Sequence, residues 1–322
     1  MIWLNESDIR SVATFSEWVQ TAEEAMCAQE MGLISVPQRM HLDQGDNTLL
    51  VMPAISKERI GCKVVSLFPG NRNLGLPALF GLVMLLDGQM GMPLAILEGK
   101  GLTAMRTGAV GAAGIHWTTP DSVTRLGIVG VGVQGIQQAI FACHVRDFSE
   151  IRFFDPHPEA RRRAMTVLTE RFPEKRIVEC ALVDILLQES EVIITATHSR
   201  EPVLPDDEDL LRGKHFIGIG SYKPQMREFP KSLFLRLENL FVDTLQGLRE
   251  SGDLIDPVDQ GWLDPERIRS LGSKLISGEL AREPARPPTL FKSVGGAQFD
   301  LAAADLVYRK ALESGLGTRL PE

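Results

Sequence analysis

The chain has 322 residues, 44% of them apolar and 24% charged, which is long enough for two domains of ordinary size and leaves no stretch of disordered composition. A formal net charge of -8, with basic residues bunched only at Arg161, Arg162 and Arg163, excludes long-range attraction to nucleic acid or anionic lipid. Met1-Ile2-Trp3-Leu4-Asn5-Glu6 lacks the basic start and apolar core of a signal peptide, and the apolar run over 75–86 is too short for a bilayer, so a cytoplasmic protein is expected.

Taken in chain order, Thr14 with Glu17 three positions later makes a capping box. Phe15, Trp18, Val19, Ala22, Ala25 and Met26 then follow at helical spacing as far as Gly32. Strands are expected over 39–42, 48–52, 63–68, 79–86 and 94–98, separated by turn-rich segments. Strand after strand without crossover helices implies an antiparallel or mixed sheet. Residues 102–117 form a helix rich in small residues, among them Ala104, Gly108, Gly111 and Gly114, as suits a helix lying against other backbone at a domain junction.

After Pro120 strands and helices alternate. Apolar strands at 124–129, 151–155, 176–180, 192–196, 215–220 and 240–243, with a last one at 290–294, read as a parallel sheet covered on both faces. The fold class is therefore α/β, a Rossmann doubly wound sheet over 119–296, joined to an α+β domain of residues 1–118 that a C-terminal helix in 297–322 completes. The loop 283–288, with three prolines, is an exposed connection. Cys27, Cys62, Cys143 and Cys180 are far apart and read as small core residues. Six histidines form no H-E-x-x-H pattern, so no metal site is expected.

Gly130-Val131-Gly132-Val133-Gln134-Gly135 follows an expected strand and opens an expected helix, the context in which G-x-G-x-x-G binds a dinucleotide. Its glycines allow a tight turn, approach of the pyrophosphate and close helix packing, while free N–H groups at the helix start face the anion. Asp155, twenty positions beyond Gly135, ends the next strand, where a carboxylate accepts the ribose hydroxyls and repels a 2′-phosphate. NAD(H) is favoured; NADP(H) stays open through Arg161 to Arg163.

The chain resembles the ornithine cyclodeaminase/mu-crystallin family at Arg39, at Lys63, at Leu102-Thr103-Ala104-Met105-Arg106-Thr107-Gly108-Ala109, at 127–135, at Thr195-Ala196-Thr197, at 220–228 and at Lys292-Ser293-Val294-Gly295. That resemblance implies an N-terminal substrate domain, a Rossmann domain, and a homodimer built through the substrate domains. It also implies that Arg39, Lys63 and Arg106 surround a substrate carboxylate, for which guanidinium forks are chemically suited. By the same resemblance the cofactor contacts include Thr107, Gly130, Gly132, Val133, Gln134, Gly135, Asp155, Thr197, Gly220 and Val294.

Cyclodeaminases of the family carry an aspartate six positions before the glutamate that matches Glu228. Here that position is Tyr222, which cannot act as a carboxylate base. Ser221-Tyr222-Lys223-Pro224 is instead similar to members that reduce cyclic ketimines such as Δ1-pyrroline-2-carboxylate to L-proline. The expectation is an oxidoreductase in which Lys63 and Arg106 are catalytic, Lys63 being one candidate proton donor, and Tyr222 and Lys223 select substrate. Asp243, ending a strand, reads as the N-cap of the next segment. The alternatives are an ornithine cyclodeaminase, an amino-acid or opine-type dehydrogenase, and a dinucleotide-dependent binding protein without turnover.

Overall fold

The computed structural model describes residues 1–278 and 288–321, and the chain divides into two compact units. Met1–Arg106 and Gly296–Glu322 form one unit, and Thr107–Gly295 the other. The first division falls inside the helix Gly99–Thr118, after Arg106, rather than at its end near residue 118. Of the expected loop at 283–288, all but Pro288 lies outside the described residues.

In the first unit the capping box forms as its residue types dictate. The Thr14 amide donates to Glu17 Oε2 (2.8 Å), the Glu17 amide donates to Thr14 Oγ1 (3.3 Å), and the helix runs over Phe15–Glu30. Lys310 of the final helix reaches Glu17 at 2.5 Å, and with the Thr14 bonds it holds the Glu17 carboxyl down to about 2. The sheet has eight strands and is mixed: Ile2–Leu4 lies parallel to Pro93–Glu98, and the remaining pairs are antiparallel. Ile2–Leu4, the short helix Glu6–Ser11 and the edge pair Thr318–Arg319 were not expected from the sequence. Arg39 precedes the strand Met40–Gln44 instead of lying within it.

Alternation along the strand Arg59–Leu67 separates the two faces of this sheet. Lys63 pairs with Met52 and Val83 on the face where the helix Ala297–Ser314 packs, and all three are buried. Val64, one residue on, pairs with Val51 and Leu82 on the opposite face, where Val64 and Leu82 are exposed.

Among the described residues the second unit is a parallel sheet of eight strands. In spatial order they are Arg176–Glu179, Glu150–Phe154, Arg125–Val129, Val192–Thr195, His215–Gly218, Thr289–Lys292, Asn239–Val242 and Ile268–Ser270. The last strand, three residues at the edge, is the one the sequence did not signal. Strand order changes direction between Arg125–Val129 and Val192–Thr195, the switch point at which doubly wound sheets bind ligands beyond their carboxyl ends.

In the helix Gly99–Thr118, Gly99 packs against the backbone of Gly81, whereas Gly108, Gly111 and Gly114 answer to side chains of the second unit. A Cβ at Gly108 would stand 2.4 Å from the ring of Phe141, and one at Gly111 only 1.9 Å from Gln138 Oε1. Of the four cysteines Cys180 is buried, while Cys27, Cys62 and Cys143 are partly exposed and so are not full core residues.

Candidate active site

Two groups of expected site residues are assembled, one in each unit. In the second unit the strand Arg125–Val129 ends at Gly130, whose φ of +90° is one that side chains with a Cβ rarely adopt. Its amide donates to Phe154 O at 2.8 Å, tying the turn to the neighbouring strand. Gly132 caps the helix Val133–Val145, and a Cβ there would meet nothing within 4 Å. At Gly135 a Cβ would lie 1.9 Å from Gly130 O, so helix and turn meet backbone to backbone. Val133 is exposed and Gln134 partly so, and the first-turn amides of this helix have no intrahelical acceptor.

Asp155 is buried just past the strand Glu150–Phe154. One of its oxygens accepts the Val131 amide and the other the His157 amide, each at 2.9 Å. The glycine turn is thereby fastened to the carboxylate expected to meet a ribose. Arg161 is committed nearby: Nε donates to Glu179 Oε1 and Nη1 to Asp155 O, both at 2.6 Å.

Three buried polar atoms on or against the helix Val133–Val145 lack a hydrogen-bond partner among the described residues: Gln134 Oε1, Gln138 Oε1 and the hydroxyl of Thr107, whose carbonyl accepts the Gln138 amide. Thr107 is therefore not the surface hydroxyl of an exposed helix. An orphaned Gln134 oxygen in the first turn of a helix with an open N-terminus fits a ligand that is both anionic and hydrogen-bonding, as a dinucleotide is.

Farther along the same edge, Glu228 organises two loops. Its Oε1 accepts the Thr197 amide (2.7 Å) and hydroxyl (2.8 Å), and its Oε2 accepts the amides of Gly220 (2.9 Å) and Ser221 (3.2 Å). The amides of Glu228 and Phe229 donate to Asp253, whose carboxyl burial pushes up to about 6 against the pull of Lys292. Lys292, fully buried, donates to Gly218 O and Ser293 O. None of these acids and bases received a role from the sequence, although Glu228 and Lys292 each stood in a block that carries the family resemblance.

Val294 is buried and lies against Gly247. Asp243 does not cap the segment after it. Its Oδ2 accepts the Ser293 hydroxyl (2.6 Å) and the Gly295 amide (3.0 Å), and the cap of Leu245–Arg249 is Thr244. Tyr222 and Lys223 follow the strand His215–Gly218, with the Lys223 ammonium 5.8 Å from the Tyr222 ring centre and the His198 ring edge-on at 6.3 Å.

In the first unit Lys63 and Arg106 converge on Asp300, a residue the sequence reading passed over. Lys63 Nζ lies 2.7 Å from Asp300 Oδ2, and Arg106 Nε donates to Asp300 Oδ1 at 3.0 Å. All three are buried. Burial lowers the Lys63 ammonium to about 8; Asp300 opposes that fall, while Arg106 and Arg39 add to it. Burial would raise the Asp300 carboxyl, but Lys63 and Arg106 outweigh it and hold the group below the usual carboxylate range. Arg39 is half-buried and within electrostatic reach of Lys63. The clue in the sequence was an acid on the apolar stripe of the final helix, flanked by Phe299 and Leu301.

The sequence pattern that defines the ornithine cyclodeaminase/mu-crystallin family matches residues 2–315. The chain belongs to this family. Within it, a Δ1-pyrroline-2-carboxylate reductase of Bacillus cereus is 32% identical, the match covering 99% of either chain. A Δ1-pyrroline-2-carboxylate reductase of Thermococcus litoralis, solved with NADH and L-proline, superposes with a TM-score of 0.91 at 32% identity, over 99% of this chain and 100% of that one. An archaeal alanine dehydrogenase, solved as a dimer with NAD, gives 0.90 at 26% identity over 100% and 99%. Among the described residues no helix is long and apolar enough to cross a membrane.

Proposed function

We propose that this family member is an NAD(H)-dependent reductase of cyclic α-imino acids, taking Δ1-pyrroline-2-carboxylate or a close analogue to the L-amino acid. The observation that carries the reading is the buried cluster of Lys63 and Arg106, with Arg39 in reach, joined in one chain to a complete glycine-turn dinucleotide edge. Reductases similar to the chain over its whole length support it.

When bound, the reduced nicotinamide supplies a hydride to the C=N carbon. The chain's part is to hold the reacting carbon in place. Arg106 engages Asp300 through Nε, which leaves its two terminal nitrogens outside that pair and able to receive both oxygens of a substrate carboxylate. Lys63, with an ammonium lowered to about 8, can neutralise that carboxylate and is acidic enough to pass a proton toward the imine nitrogen. Burial of Lys63 and Arg106 away from water strengthens these contacts. Tyr222 and Lys223 are assigned to substrate selection. Thr107, Gly130, Gly132, Val133, Gln134, Gly135, Asp155, Thr197, Gly220 and Val294 hold the dinucleotide.

NAD(H) is preferred over NADP(H) in this reading, because Asp155 would repel a 2′-phosphate and Arg161 is already tied to Glu179 and the Asp155 carbonyl. A homodimer is proposed through the first unit, whose sheet presents Met40, Leu42, Leu49, Val64, Phe80 and Leu82 as exposed apolar side chains on adjacent strands. The archaeal relative solved as a dimer supports a dimeric state.

The test follows NADH and NADPH oxidation with Δ1-pyrroline-2-carboxylate, with pyruvate plus ammonia, and with other keto acids plus amines. The cyclic imine with NADH is expected to give the highest kcat/KM. Turnover confined to open-chain imines would favour the amino-acid dehydrogenase alternative. Ammonia release from L-ornithine without any imine reduction would replace the proposal with a cyclodeaminase, for which Tyr222 removes the expected acid.

A further inference from the structure

We propose that Asp300 is a positioning residue that keeps Lys63 protonated while holding the Lys63 and Arg106 donors for a substrate carboxylate. For its catalytic consequence this rests on the reductase reading; its electrostatic content does not.

The geometry is one carboxylate divided between two cations: Oδ2 faces Lys63 at 2.7 Å and Oδ1 faces Arg106 at 3.0 Å. Lys63 has little else to keep it charged. Its cross-strand partners are Met52 and Val83, neither ionisable. The nearby charges from other elements, Arg106 on Gly99–Thr118 and Arg39 ahead of Met40–Gln44, are both positive. Among the described residues, the remaining acids on the elements packed around this strand are occupied elsewhere, Glu313 of the final helix lying 4.0 Å from Lys310. Asp305 pairs with Arg59 at the strand's start, where Asp87 also lies within 3.9 Å of Arg59. Glu6 pairs with Lys100, and Glu17 with Lys310. Glu98 accepts the amides of Lys100 and Gly101. Cys62, next in sequence, points to the other sheet face, and burial raises its thiol, so it offers no anion.

A buried ammonium without a counterion releases its proton. Asp300 is the acid in contact with Lys63, and by taking Arg106 through Nε alone it orders the guanidinium without using up the terminal nitrogens. The pocket then keeps a net positive charge for the anionic end of a substrate, together with a lysine balanced near the pH at which it can give up a proton.

The test is Asp300→Asn, with Asp300→Ser as a smaller neutral replacement should the asparagine protein fail to fold. Two readouts are taken. In the first, lysine side chains labelled with carbon-13 at Cε are titrated by NMR, the Lys63 signal being identified by its loss in Lys63→Arg. Its midpoint near 8 is expected to fall by at least one pH unit in the neutral variant, which needs no turnover to observe. In the second, kcat/KM for Δ1-pyrroline-2-carboxylate is followed against pH. In the native protein it is expected to decline above about pH 8, as Lys63 loses its proton. In the variant that decline begins at least one unit lower, and in Lys63→Arg it disappears.

A Lys63 midpoint unchanged in both neutral variants overturns the proposal. So does a uniform loss of kcat/KM with the alkaline limb unmoved, which is what a merely structural role would give. If no imine is reduced by the native protein while the Lys63 midpoint still moves, the reductase reading fails and the electrostatic assignment of Asp300 stands.

Discussion

Arg106→Ala is expected to lower kcat/KM for a ring imino acid by about 10²- to 10³-fold while NADH affinity changes by less than about threefold. The loss is large because the fork contributes two charge-assisted bonds in a buried setting, where each tenfold corresponds to about 1.4 kcal/mol. Removal also leaves Asp300 with Lys63 as its one remaining partner among the paired cations, so a stability loss on the order of 3 kcal/mol accompanies the kinetic one. Arg106→Lys separates the effects, since it returns a charge to Asp300 but not a planar fork. It should recover most of the thermal stability and only part of the activity. Near-native kcat/KM in the alanine protein, by NADH oxidation, would remove Arg106 from the site.

Gly135→Ala is expected to abolish measurable NADH binding, a loss of at least about 100-fold, because its methyl would fall 1.9 Å from the Gly130 carbonyl oxygen and that neighbour is backbone. The glycine turn must open, and with it the Val131 amide that Asp155 holds. Gly132→Ala provides the contrast. With a φ of -64° and nothing within 4 Å of the added carbon, this protein should fold with an unchanged Tm. Any fall in its NADH affinity then reports the space the pyrophosphate needs. Fluorescence titration with NADH beside thermal unfolding distinguishes the two, and native affinity in the Gly135 variant would contradict the assigned cofactor edge.

The dinucleotide edge was legible in the sequence because its constraints are local. A turn at positive φ, a close approach of helix to strand, and an acid at the end of the next strand each leave a mark within about thirty residues. Lys63 and Arg106 were named through the family resemblance, and Asp300 was missed because its one local mark, an acid between Phe299 and Leu301, does not say what it pairs with. It joins Arg106 across 194 positions of sequence, and the pairing exists only once helix and sheet are packed. Short elements escaped for a different reason. Ile2–Leu4 and Ile268–Ser270 have three residues each, too few for a periodic pattern to rise above chance. Asp243 was misread through a competition between neighbours: Thr244 takes the cap, and the aspartate turns inward to Ser293 and Gly295. Gly108, Gly111 and Gly114 pointed correctly to close packing but not to its partners, since the rings of Phe141 and Phe291 and the Gln138 amide fill the space assigned to backbone.

In the proposed reaction a hydride reaches the carbon bearing the carboxylate that Lys63 and Arg106 are proposed to hold. NADH carrying deuterium at C4 of the nicotinamide, incubated with Δ1-pyrroline-2-carboxylate and the native protein, tests this most directly. The predicted product is L-proline one mass unit heavier, with the label at Cα for one of the two C4 epimers of NADH and none for the other. Unlabelled product from both epimers, or no proline alongside ammonia released from L-ornithine, would contradict it.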